Sequence, residues 1–131
     1  PYVGDISADG RSVQAARAVL GINDEALLCY GTQLQTSEEP YGWTFLNVQI
    51  SSSDNVERLQ QEMKQLGCLL IAVTDNLGYV SFEYCVDGTE NSDGSTTLTV
   101  TEADADALAG QSVKAMSQTP AGLQKLVELI K

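Results

Sequence analysis

A chain of 131 residues, 43% of them hydrophobic, is long enough to bury one core and points to a single domain over residues 1–131. Its 18 acidic residues outnumber 7 basic ones, and the net charge of -11 sets it against phosphate backbones and anionic headgroups. Neither a nucleic acid partner nor electrostatic docking on a membrane is expected.

In chain order, Ser12 stands where an N-cap belongs, and Val13, Ala16 and Val19 or Leu20 recur at helical spacing up to a stop at Gly21. Leu28, Tyr30 and Leu34 share one parity and predict a strand over 27–35, followed by a turn from Ser37 to Gly42. In the next predicted strand Leu46, Val48 and Ile50 take one face and Trp43 and Phe45 the other. That pattern suits a central strand, or one that presents Trp43 in a surface groove.

Asp54, with Glu57 three residues on, has the form of a capping box for the longest predicted helix. Val56, Leu59, Met63, Leu66 and Leu70 put one apolar stripe along it, Gly67 is a point of bending, and Asp75–Gly78 ends it. Val80, Phe82, Tyr84 and Val86 then alternate with Ser81, Glu83 and Cys85 in a third strand. The polar loop 87–95 leads to a fourth strand at Leu98 and Val100. Thr101 caps a short helix, and Thr119-Pro120 opens a last one with Leu123, Leu126, Val127 and Ile130 inward. The order α-β-β-α-β-β-α, read as two hairpins flanking a long helix, predicts an α+β domain. Its sheet is expected to be four-stranded and mostly antiparallel, with helices on one face.

Enzyme chemistry finds little support. With no histidine, the commonest general base and zinc ligand are missing, and the chain has no G-x-S-x-G elbow, no phosphate-binding glycine loop and no dinucleotide fingerprint. No cofactor and no catalytic residue are therefore expected. The loop 87–94 is rich in oxygen ligands but misses the calcium-loop order, so no metal is assigned either. Three cysteines, Cys29, Cys68 and Cys85, follow no metal or redox spacing. Cys29 and Cys85 both fall in predicted strands, where they are either a disulfide pair or small buried hydrophobes.

The chain opens on Tyr2-Val3-Gly4-Asp5 and carries Leu34-Gln35-Thr36 ahead of Pro40-Tyr41-Gly42, with Trp43 next. Later come Leu70-Ile71, Asn76 and Val80-Phe82. These segments resemble the Y-V-G-D, L-Q-T-x-x-x-P-Y-G and L-I-x-N-x-x-x-V-x-F motifs of the domain-of-unknown-function 4825 family of Gram-positive bacteria. Ile6 and Trp43 depart from the family pattern, and the last motif is more loosely spaced here. The resemblance implies an extracytoplasmic domain of a lipoprotein or membrane protein, and the abrupt start at Pro1 reads as a chain cut from such a precursor. It implies no reaction.

Tyr41, Trp43 and Phe45 form a candidate recognition patch, since aromatic side chains dominate binding hot spots. Asp5, Gln35 and Asn76, from their places in the motifs, are its candidate polar partners. The expected function is a non-catalytic, extracytoplasmic ligand- or protein-binding module of a membrane-anchored envelope or signalling protein. Its partner would be an unknown protein or small ligand at the cell envelope, and the membrane would be met only through an upstream anchor. The alternative is an acidic inhibitor or immunity-type protein masking a basic partner; a small carboxylate hydrolase comes third.

Overall fold

Helix α1 (Ile6–Leu20) starts upstream of Ser12, which is therefore an interior residue and not the cap. Its end is a Schellman motif: Gly21 sits at φ 71, its N–H donates to the Ala18 carbonyl at 3.3 Å, and the Ile22 N–H donates to the Arg17 carbonyl at 2.9 Å. Ile22, just past the glycine, is buried in the core. The computed structural model describes residues 6–23, 31–51, 55–87 and 96–131. The expected Asp54 cap, the strand residues Leu28 and Tyr30, Cys29 and Asp5 all lie outside the described residues.

Four strands follow, β1 (Gly31–Gln35), β2 (Tyr41–Ile50), β3 (Leu77–Val86) and β4 (Thr96–Thr101), laid side by side in the order β1-β2-β3-β4. The β1/β2 and β3/β4 pairs are the two antiparallel hairpins read from the sequence. The central pair, β2 with β3, is parallel. The sheet is thus mixed, and the expected mostly antiparallel sheet is corrected at its centre. Helix α2 (Val56–Val73) joins the ends of these two strands, and a crossover of that length lets a chain return to start a parallel neighbour. After β4 come three helices, the two expected from the Thr101 and Thr119 caps, α3 (Glu102–Ala109) and α5 (Pro120–Ile130), and between them the short α4 (Val113–Met116).

Strand β2 does not keep one parity. Opposite β3 the register runs Phe45 to Phe82, then Val48 to Tyr84, so β2 carries one extra residue, and Asn47 there takes φ 59. This bulge brings Val48 and Ile50 onto the face already occupied by Trp43 and Phe45, which the sequence reading had placed on opposite faces. All four are buried.

Asn55 is the cap of α2, its side-chain oxygen accepting from the Arg58 N–H at 3.0 Å. Leu59, Met63, Leu66 and Leu70 form the expected buried stripe, with Val56 only half-buried. Gly67 does not interrupt the helix: a Cβ there would stand 3.0 Å from Val100 Cγ2, so its role is close approach to β4. From Leu66 to Ala72 every residue is buried, because α1, α3, α4 and α5 all pack on α2. The helices therefore share one side of the sheet. The opposite face presents a row formed by Gln33, Thr44, Ser81 and Thr99.

Candidate functional site

The turn between β1 and β2 is built on one side chain. Gln35 Oε1 accepts from the Ser37 N–H and Ser37 Oγ, each at 2.8 Å, while its Nε2 donates to the Glu38 carbonyl at 2.8 Å and the Pro40 carbonyl at 3.3 Å. The Glu39–Pro40 peptide is cis. A Cβ at Gly42 would run into the Tyr79 ring, and one at Gly78 would stand 2.7 Å from Pro40 Cβ. Gln35, Pro40 and Gly42 thus each have a structural duty: to template the turn, to pack it against Gly78, and to leave room for Tyr79. The most distinctive stretch of the sequence specifies a shape.

The expected aromatic patch is not at the surface. Trp43 is 2% exposed and stacks on Phe45 at 5.3 Å between centroids, and Phe45 stacks on Phe82 at 4.9 Å. Both belong to the core, and only Tyr41 is half-buried. Among the described residues the Trp43 indole N–H has no hydrogen-bond partner. Gln35 serves the turn, and Asp5 lies outside the described residues. Tyr41 and Asn76 alone are brought together, in an open cleft of about 420 Å³ between the Pro40 turn and the Asp75–Gly78 turn.

Lys114, which the sequence reading missed, closes one side of that cleft. Its ammonium donates to the Ile71 carbonyl at 2.9 Å and the Thr74 carbonyl at 2.7 Å, and Ser117 Oγ donates to the Ala72 carbonyl at 2.5 Å. These are carbonyls at the end of α2, left without intrahelical partners, and α4 supplies their donors. Burial pushes the Lys114 pKa down, while Glu102, Asp75 and Asp106 pull it up. The group is a long-range helix cap and has two of its protons committed. Nothing local in the sequence pairs position 114 with position 71. Cys68, fully buried in α2, has its thiol pushed up to about 12 by burial and then by the charge of Asp106, so it carries no thiolate chemistry at neutral pH.

A second concavity lies on the helical side. Helices α1 and α5 both lean on α2 and leave between them a groove of about 350 Å³. Ala15, Ala16 and Val19 form one wall, Leu123 and Val127 the other, and Leu69 and Val73 the floor. Ser12 and Gln124 are its polar lining residues, and none is charged. Val19 remains 48% exposed there. The groove left a trace in the sequence. Ala15 on the first helix, and Leu69 and Val73 on the long one, are apolar positions outside the stripes read along those helices.

Comparison with known proteins finds no family model, no curated protein and no solved structure that matches this chain.

Proposed function

We propose that this chain is a non-catalytic binding module whose ligand is a small, uncharged, largely apolar molecule held in the groove between α1, α2 and α5. The observation that carries this reading is the groove itself. Its volume of about 350 Å³ falls within the range of small-molecule sites, and its lining is apolar with two uncharged polar groups able to orient a ligand. A groove of that size holds one acyl chain or ring system. In a chain of net charge -11 with no cation in the lining, an anionic head group would be disfavoured. The resemblance noted in the sequence adds the setting: an extracytoplasmic domain tethered to a membrane, where molecules of this kind are plentiful. The Tyr41–Asn76 cleft supports the reading less well, because its lysine is already engaged as a cap.

The test is titration of the whole chain with N-phenyl-1-naphthylamine, a neutral apolar fluorophore, followed by competition with octanol and octanoate. Saturable binding is expected, lost in Ala15→Phe, which fills the groove, and displaced by the alcohol at lower concentration than the carboxylate. Equal binding by a folded Ala15→Phe chain would reject the groove as the site.

A further inference from the structure

The free edge of the sheet supports an inference independent of the groove. In an antiparallel ladder, residues whose N–H and C=O face the neighbouring strand alternate with residues whose groups face away. The Thr101 N–H donates to Asp104 Oδ2 at 3.0 Å, as part of the α3 capping box, and Ser81 Oγ and Thr99 Oγ1 are 2.9 Å apart. Both observations place the Ser81–Thr99 and Tyr79–Thr101 pairs in the narrow, non-hydrogen-bonded class, where side chains approach and backbone groups point outward. Thr97, at the same parity, points its backbone outward too. The N–H and C=O groups of Thr97 and Thr99 are therefore directed away from β3, and β4 has no second strand neighbour among the described residues.

Natural sheets guard such edges with charges, prolines, bulges or a covering element. Strand β4, Thr96-Thr97-Leu98-Thr99-Val100-Thr101, has neither a charge nor a proline, and its register with β3 is unbroken. Four of its six residues are exposed. Glu83 stands opposite Thr97 on β3, Glu102 directly follows β4, and the sequence between Lys64 and Lys114 contains no basic residue.

We infer that β4 is a docking edge for an extended segment of a basic partner protein, which adds to the sheet as a fifth strand. The backbones of Thr97 and Thr99 supply the hydrogen bonds, and lysine or arginine side chains of the partner meet the acidic surroundings. A second copy of this chain is disfavoured as the occupant, because two chains of net charge -11 repel each other.

The experiment uses the whole chain and a capped peptide of about eight residues alternating valine and lysine, with a valine–glutamate peptide as control. In the free protein the Thr97 and Thr99 amides should exchange rapidly with solvent and those of Leu98 and Val100 slowly. The lysine peptide should slow the first two and bind more weakly as salt rises, and the glutamate peptide should not bind. Thr99→Pro removes one outward donor at an edge position that tolerates proline, and should weaken binding about tenfold or more. Thr97→Lys, which keeps the backbone and adds an edge charge, gives the same readout should the proline variant fail to fold. Slow exchange throughout β4 in the free protein, or undiminished binding by a folded variant, would overturn the assignment. Ala15→Phe, in the groove, should leave peptide binding unchanged.

Discussion

At the scale of single residues, Trp43 and Gly122 make opposite demands on space. Trp43 fills the core above the bulged strand and is stacked on Phe45. Trp43→Ala should therefore cost about 3–5 kcal/mol in chemical denaturation, as large-to-small changes in cores do. The emission of the intact chain should be blue-shifted and shielded from soluble quenchers; a red-shifted, readily quenched emission would contradict the burial. Gly122, in the first turn of α5, is a case where helix propensity misleads. Alanine is normally better than glycine in a helix by about 1 kcal/mol, but a Cβ at this position would strike the Met116 carbonyl oxygen, a backbone atom with little freedom to yield. Gly122→Ala should lower the melting temperature, and a rise would show that α4 and α5 can separate freely.

At the scale of elements, the end of α2 depends on residues some forty positions downstream. Lys114→Met would remove the side-chain donor from the Ile71 carbonyl and leave the Thr74 carbonyl only the Leu77 N–H at 3.1 Å, a loss of about 1–3 kcal/mol measurable by urea denaturation. The pH dependence has a definite sign. Burial holds the folded-state pKa of Lys114 below its ordinary 10.5, so between the two values the unfolded chain binds more proton than the native one. Stability from this group then rises with pH across that window. The advantage of the wild-type chain over Lys114→Met should be larger just below 10.5 than at neutral pH. A gap that narrows would mean the cap requires the full ammonium charge.

Long-range capping of this kind explains which parts of the fold were legible in the sequence. The α2 stripe, the Gly21 stop and the Thr101 and Thr119 caps are local patterns, and each appears where its spacing put it. The parallel β2/β3 pairing, the bulge at Asn47 and the Lys114 cap join residues far apart in the chain or depend on one inserted residue, and no short window reveals them. The site was read least well. Of the expected contact residues, Gln35 shapes a turn and Trp43 fills the core. The lining of the apolar groove consists of ordinary alanines, valines and leucines.

For the whole molecule, the arrangement of charge matters more than its sum. Arg11, Arg17, Arg58, Lys64, Lys114 and Lys125 are all on helices and Lys131 caps the last one, so the sheet has no basic residue among those described. The helical layer is mixed in sign, whereas Glu83 is the one charged residue within the described strands. Among the described residues, Arg58 and Glu62 form one favourable pair at 3.9 Å, with the basic residue N-terminal, the weaker order on a helix. Self-repulsion should therefore dominate the response to ionic strength. Raising sodium chloride from about 0.01 to 0.15 M, which shortens the screening length from about 30 to 8 Å, should raise the thermal midpoint in a single cooperative transition. Glu83→Gln, which removes the one charge on the described strands, should reduce that salt dependence while changing stability at high salt by no more than about 0.5 kcal/mol. A midpoint that falls with added salt would mean that attraction between unlike charges outweighs the repulsion, and the acidic groups beside β4 would then be partly neutralised before any basic partner reached them.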